Sequence, residues 1–200
     1  MNHELAISEL RAAMARLEPE PEHTGHVAFL ATRLFDDLAP LHGLGADERV
    51  ILEGAACLHD VGWAASKSGS AHHKHSARII RAAKWKQLGR TEVELVAQTA
   101  RYHRKALPRE DHEEFAALPA PLKEVVRKLA ALLRIADGLD RSHLQHVRNV
   151  RARIEPARVT VTLDAATPPV REMAGALRKS DLARDVFGRE FVFDSTANGA

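Results

Sequence analysis

Pro121-Leu-Lys-Glu-Val-Val-Arg-Lys-Leu-Ala-Ala-Leu-Leu-Arg-Ile-Ala-Asp137-Gly-Leu-Asp-Arg-Ser142 is the stretch on which the fold turns. From Leu122 onward, Val125, Val126, Leu129, Leu132, Leu133 and Ala136 recur at intervals of three and four, the spacing that lines one face of an α-helix. This is the strongest helical period in the chain, and it predicts a helix that crosses the core. Asp137 falls four residues after Leu133, on the same inward stripe. A carboxylate there is costly to bury unless it is paired, hydrogen-bonded or bound to a cation.

The same period extends outward from this segment. Leu10, Ala13, Met14 and Leu17 form one stripe, Pro19 and Pro21 break it, and Val27, Leu30, Ala31, Leu34 and Leu38 form the next. A third helix, Ala46 to Asp60, carries Val50, Ile51, Leu52, Ala55 and Leu58 and is closed by Gly62. Ser66 to Lys74 is a predicted polar loop leading into a short helix with Ile79 and Ile80 on its apolar side. Thr91, with Glu94 completing a capping box, is the expected start of a helix bearing Val93, Val96 and Ala100 and running to about Arg104. Pro108, Pro119 and Pro121 mark a second loop.

After Arg148 the period changes to alternation. Val150, Ala152 and Ile154, then Val159, Val161 and Leu163, predict a β-hairpin. Val170, Met173, Ala174 and Leu177 resume a helix, a short turn begins at Ser180, and Glu190 to Phe193 form a last strand. The expected fold is mainly α: a helical bundle with a small C-terminal β-β-α-β appendage. Residues 1–20 are an N-terminal helix packed on the domain, 21–147 the helical domain, and 148–200 an α+β extension of it, since no linker-like stretch separates them.

Composition narrows the function classes. The 200 residues, 45% of them hydrophobic, suffice for one core, and a net charge of +2 excludes a polybasic binder or an acidic tail. Arg148, Arg151, Arg153 and Arg158 cluster near the hairpin without aromatic neighbours to stack bases, which argues against nucleic acid as a partner. Cys57 is the single cysteine, so no intrachain disulfide can form. No run approaches the ~18 apolar residues of a membrane span, and the N-terminal residues lack a signal-peptide pattern. A cytoplasmic protein without membrane contact is expected.

The remaining oddity is 12 histidines against 4% aromatic residues. His23 lies four residues before Val27, His59 four after Ala55, His75 four before Ile79, and His103 seven after Val96. All four therefore fall on apolar stripes, as do Asp60 and Asp137. A lone inward histidine is more often a hydrogen-bonded core residue than a ligand, and Asp137 alone has a bland alternative in an ion pair with Arg101 or Arg141. The joint order of four histidines and two aspartates is what indicates a nitrogen and oxygen metal site. Adjacent side chains on a helix diverge by about 100°, so His59 and Asp60 can share an ion only where the helix ends, which Gly62 allows. With no cysteine ligands, such a set suits Mn, Fe, Co or Ni better than structural Zn. Lys74, Arg104 and Lys105 flank these residues, and Arg141 lies one turn beyond Asp137. They are candidate substrate-binding cations, or equally solvated surface charges.

The order His23, His59-Asp60, Asp137 resembles the HD superfamily of metal-dependent phosphohydrolases, and His75 with His103 resembles its extended, two-metal form. The strings His23-Thr-Gly-His-Val-Ala, Cys57-Leu-His-Asp-Val-Gly, His72-His-Lys-His-Ser, Ala100-Arg-Tyr-His-Arg-Lys and Leu133-Arg-Ile-Ala-Asp-Gly-Leu-Asp-Arg-Ser look like the C-terminal HD domain of the exopolyphosphatase/guanosine pentaphosphate phosphatase (Ppx/GppA) family. The likeness runs from about His23 through the β-rich tail, including Val186-Phe-Gly-Arg. It implies one or two divalent metal ions: His23, His59, Asp60 and Asp137 on the first, Asp60 bridging to a second held by His75 and His103, with Asp60 and His59 carrying catalysis. In that family the phosphatase chemistry belongs to N-terminal actin-like domains, which nothing in these residues resembles, so any catalysis here falls to the histidine and aspartate set. The implied function is a metal-dependent phosphohydrolase acting on a phosphorylated small molecule, a nucleotide or polyphosphate. A non-catalytic module that binds the same ligands, as a homodimer or otherwise, and an iron-dependent oxygenase are the alternatives.

Overall fold

A computed structural model describes residues 1–66 and 69–197. In chain order they form α1 (His3–Leu17), α2 (Pro21–Asp37), α3 (Ala39–His42), α4 (Ala46–Leu58), α5 (His72–Ala82), α6 (Arg90–Arg101), α7 (Glu113–Ala116), α8 (Ala120–Leu139), β1 (Val147–Ile154), β2 (Arg158–Ala165), α9 (Val170–Lys179), α10 (Asp181–Phe187) and β3 (Glu190–Ser195). The fold is mainly α, with one three-stranded sheet near the C-terminus. No helix among the described residues is long and apolar enough to cross a membrane.

The decisive stripe becomes α8. Val126, Leu129, Leu132, Leu133, Ile135 and Ala136 are buried against α2, α4 and α6, and each large aliphatic side chain removed from water contributes about 1.5–3 kcal/mol. Local chemistry sets the helix starts: the Asn2 side chain accepts the Leu5 N–H at 3.2 Å, and Pro21 opens α2, where its missing N–H costs nothing. Buried Arg134 on α8 donates to Asp181 at 2.9 Å and to the Tyr102 carbonyl at 3.2 Å. It thereby fixes both α10 and the segment after α6 that carries His103.

Several boundaries differ from the sequence-based expectation, each for a local reason. α5 begins at His72, inside the predicted polar loop, because its first two histidines are buried against the centre; Lys67 and Ser68 of that loop lie outside the described residues. Thr91 does not cap α6, which starts at Arg90 after Gly89. The Glu94 carboxylate that would complete the box is engaged by Arg81 through two 2.7 Å hydrogen bonds. The turn after Ser180 winds into α10, and the strands extend beyond their predicted ends.

In the sheet, β1 and β2 pair antiparallel with Val150 opposite Leu163 and Ile154 opposite Val159. β2 and β3 pair parallel with Val161 opposite Phe193. A parallel pair needs a crossover, which α9 and α10 supply. The sheet is tied to the bundle by the Ala152 N–H donated to Asp37 at 2.8 Å and the His26 ring nitrogen donated to the Val147 carbonyl at 2.8 Å. α9 crosses α8 where two glycines meet. A Cβ on Gly138 would lie 2.7 Å from the Ala176 backbone, and one on Gly175 would lie 2.5 Å from the Gly138 carbonyl oxygen. Only glycine permits that approach, and it brings the C-terminal end of α9 beside Asp137.

His42 closes α3 as a neutral imidazole. Its Nε2–H donates to the Phe35 carbonyl at 2.8 Å while Nδ1 accepts the Leu44 N–H at 2.9 Å, an arrangement that leaves no room for a second proton. Burial lowers its pKa below the ordinary 6.5. Between the lowered value and 6.5 the unfolded chain binds the proton more readily, so this part of the stability is present above pH 6.5 and is lost as pH falls. In thermal unfolding, His42→Gln should be less stable than wild type by about 1–3 kcal/mol at pH 8, and the gap should narrow at pH 5. A gap independent of pH would contradict the neutral assignment.

Candidate metal centre

The centre is built where α4 stops. Its final turn is wholly buried, and His59 turns its Nδ1–H back onto the Ala56 carbonyl at 2.7 Å, which caps the helix and leaves Nε2 facing inward. Asp60 follows on the turn. Gly62 then passes so close to α5 that a Cβ there would lie 2.3 Å from the His72 carbonyl oxygen and 2.4 Å from the Ser76 nitrogen. Ser76 latches the two elements together: its hydroxyl donates to the His59 carbonyl at 2.6 Å and accepts the Gly62 N–H at 3.0 Å.

Four imidazoles converge here, and all four are oriented by the same device. The Nδ1–H of His59 donates to Ala56 O, that of His103 to Ala100 O and that of His72 to Gly69 O, each at 2.7 Å, while His23 Nδ1 donates to the Asp140 carboxylate at 2.7 Å. Carbonyls and carboxylates only accept, so Nδ1 carries the proton in every case. Each ring therefore turns its Nε2 to the centre. This is the outer-shell arrangement that holds histidines for metal ligation. His72 Nε2 and His103 Nε2 face each other at 3.3 Å, and both lie near Asp60 Oδ1, at 3.0 and 3.5 Å. Lone pairs and a carboxylate oxygen at such spacing repel unless a proton or a cation lies among them. His23 Nε2 and His59 Nε2 are buried without any hydrogen-bond partner.

Ligand atoms close enough to share one ion fall into three overlapping groups: His23, His59 and Asp60; His59, His103 and Asp137; Asp60, His72 and His103. The two Asp60 oxygens divide between them, Oδ2 lying 3.7 Å from His59 Nε2 and Oδ1 facing His72 and His103. The electrostatics suit a cation. Burial holds His59 below its ordinary pKa and His103 well below, so both are neutral. Burial would raise Asp60 and Asp137, but the imidazoles around Asp60 and the Lys179 ammonium on Asp137 outweigh it and keep both ionised. At His23 burial is likewise overridden, here by the hydrogen bond to Asp140 and the surrounding carboxylates, and its pKa is raised. Glu18 accepts the Asp60 N–H at 3.2 Å; burial and then the Asp60 charge push it up to about 9, so it is protonated at neutral pH.

The centre opens into a cavity of about 290 Å³. Asp60, Asp137, His72 and His103 form part of its lining; Arg104, Lys105, Arg141, Arg178 and Lys179 surround them. Arg104 Nη1 lies 3.2 and 3.3 Å from the two ring nitrogens of His72, hence over its face, and Trp63 stacks on the same ring with centroids 4.4 Å apart. His143 stacks on His23 at 3.7 Å and is held by Glu20 at 2.5 Å.

This assembly can be compared with known proteins. The family model described as Ppx/GppA phosphatase, domain III, matches residues 10–185. The chain belongs to that family. No curated protein matches it. The matched span contains every histidine and aspartate of the centre and also Arg178 and Lys179.

Of the residues expected from sequence, the structure brings His23, His59, Asp60, His103 and Asp137 together. His75 is not among the grouped ligands. It lies three residues along α5 from His72, where its Cβ approaches Gly62, and His72 takes the inward position instead. Arg104, Lys105 and Arg141 line the cavity, whereas Lys74 is exposed on α5 outside that lining. Asp137 pairs with Lys179 rather than with Arg101, which binds Glu114 at 2.8 Å, or Arg141. Sequence reasoning missed Asp140, Glu18, His143, Arg178 and Lys179. Asp140 had a signal, since it lies three residues after Asp137. The others sit on loops or on α9, whose placement against α8 no local pattern reveals.

The close approach at Gly62 has a measurable consequence. Gly62→Ala should force α5 away from the end of α4 and lower stability by about 1–3 kcal/mol. Gly25→Ala in α2, where the added Cβ meets only Met14 Cε at 3.8 Å, should be neutral or stabilising, as a helical glycine replaced by alanine gains about 0.5–1 kcal/mol. Urea denaturation of the two variants checks this, and equal effects would contradict the packing described.

Proposed function

We propose that this chain is a divalent-metal-dependent phosphohydrolase of the HD type, acting on a phosphorylated small molecule such as a nucleotide or polyphosphate. Membership in a phosphatase family supports the substrate class. The observation that carries the metal is the meeting of His72 Nε2 and His103 Nε2 at 3.3 Å beside Asp60, with both Nδ1 positions already donating. In this reading His23, His59, Asp60, His72, His103 and Asp137 hold one or two ions, and the nitrogen and oxygen donor set suits Mn, Fe, Co or Ni.

Bound divalent ions supply an acidified water nucleophile and offset charge on phosphoryl oxygens. The protein's part is placement. Asp60, with oxygens facing both halves of the cluster, and His59, locked by the Ala56 carbonyl, form the catalytic pair. Asp140 fixes the His23 ring from behind. Arg104, Lys105 and Arg141 bind substrate phosphate at the mouth, and Trp63 covers His72 on the cavity side. The second reading, a module that binds phosphorylated ligands without turnover, is favoured by one contact: Lys179 already supplies Asp137 with a counter-ion.

Metal analysis of the purified protein beside His72→Ala and His75→Ala should give two divalent ions per chain in wild type and in His75→Ala, and fewer in His72→Ala. With Mn²⁺ added, phosphoester turnover should fall at least about 100-fold in Asp60→Asn. Wild-type protein that binds no divalent ion and stays inactive after metal addition would sink the proposal. Retained phosphate-ligand binding without hydrolysis, unaffected by His59→Ala, would select the second reading.

A further inference from the structure

Among the described residues, one edge of the sheet is left without cover. β1 lies at the other end of the order β1-β2-β3, and α2 guards it: Asp37 takes the Ala152 N–H and His26 donates to the Val147 carbonyl. β3 has no such guard. Its Glu190 and Thr196 N–H groups donate to the Ala157 and Leu163 carbonyls at 3.2 and 3.0 Å, so the alternate residues Phe191 and Phe193 turn their N–H and carbonyl groups away from β2. No described residue bonds to those groups. An edge strand in this state is a template on which another chain can pair.

The edge is also one wall of a groove. A cavity of about 280 Å³ runs beside it, lined by Met173, Ala174 and Leu177 of α9 and by Phe191, Val192 and Phe193 of β3, with no charged residue. Leu177 is 50% exposed and Val192 41%, so apolar surface remains open on both faces of the edge. Glu190, Val192 and Asp194 alternate on the outward face of the strand. Neither acid has a cationic partner among the described residues. Arg158, opposite Glu190, is held by Glu155 at 2.7 Å, and Asp194, opposite Thr162, accepts the Ser195 N–H at 2.8 Å. This charge pattern selects the occupant. A second copy pairing antiparallel through Phe191 and Phe193 sets the Glu190 and Asp194 carboxylates of the two chains against each other twice, and like charges directly opposite are destabilising. A strand with cations at those two places is complementary instead.

We propose that the β3 edge and its groove bind an extended segment of another protein by strand addition, the segment carrying two cationic side chains four residues apart with apolar residues between them. Its backbone completes the Phe191 and Phe193 rungs, its cations face Glu190 and Asp194, and its alternate apolar side chains enter the groove beside Leu177. The metal centre takes no part in this contact, so the strand site and the phosphohydrolase reading stand or fall separately.

The probe is a fluorescein-labelled peptide, Gly-Ser-Lys-Leu-Val-Leu-Lys-Ser-Gly, titrated with the full chain at fixed ionic strength and read by fluorescence anisotropy. It should bind at least about tenfold tighter than the same peptide with glutamate in place of each lysine. A version N-methylated at both leucines keeps the side chains but loses the two N–H donors, and should show no saturable binding. In a Glu190→Lys/Asp194→Lys variant, changed only at exposed positions, the preference should reverse toward the glutamate peptide. No saturable binding of the lysine peptide, equal binding of the two charge forms, or a preference unmoved by the variant would overturn the proposal. Undiminished binding of the N-methylated peptide would do so on the wild-type chain alone. A dimer in sedimentation velocity that the lysine peptide dissociates would also overturn it, because the edge then belongs to a second copy.

Discussion

The end of α4 carries a large electrostatic cost. Asp60, buried and ionised, stands beside His59, His72 and His103 in a pocket closed by α2, α5, α6 and α8. A charge in such a place is tolerated only if neighbouring groups or a bound cation offset its lost hydration. The surroundings are organised accordingly. Glu18 is kept protonated, so it adds no second negative charge while receiving the Asp60 N–H, and Ser76 and Gly62 fix the turn on which the carboxylate sits. The same backbone carbonyls that finish α4 and α6 accept the Nδ1–H of His59 and His103. Helix termination and ligand orientation are thus linked: a carbonyl in the last turn of each helix is the group that decides which ring nitrogen faces inward.

The second constraint is the glycine contact between α8 and α9. With Gly138 and Gly175 nearly touching, the last turn of α9 is delivered to the edge of the cavity, and Lys179 reaches Asp137. The β-rich C-terminal part therefore does more than cover one side of the bundle. Its crossover helix forms a wall of the site, and the sheet anchors that helix through β3, on which α9 also packs. A side chain at either glycine would separate α9 from α8 and remove the basic wall while leaving the four imidazoles in place.

Much of this was legible in the sequence, and the parts that were not share a cause. The α8 stripe, the stop at Pro19 and Pro21, and the change from helical to alternating period near Arg148 each rest on spacing within one segment, which sequence displays directly. His23, His59, Asp60, His103 and Asp137 were legible because polar residues on an apolar stripe are conspicuous. The choice between His72 and His75 was not. Both lie on the first turn of α5, separated by roughly 60° around the helix axis, and the inward one is set by how closely Gly62 lets α5 approach. Glu94 misled for the same reason, since Arg81 on a neighbouring helix outcompeted the cap. Lys179 and Arg178 were invisible because their role depends on a helix-to-helix crossing far along the chain.

The charge pattern of the site changes sign between its interior and its rim. Inside, imidazole nitrogens and ionised carboxylates make a pocket whose donor atoms suit a small cation. At the rim and along α9, Arg104, Lys105, Arg141, Arg178 and Lys179 make the opposite field. An anion drawn by the rim alone would meet Asp60 and Asp137 as it moved inward and be repelled, because at separations of a few ångströms in a partly desolvated cavity like charges oppose each other by several kcal/mol. Lys179 offsets only one of those carboxylates. Under the proposed function the rim would gather phosphate only when a bound cation neutralises the inner negative charge, which would couple the two through electrostatics with no moving part.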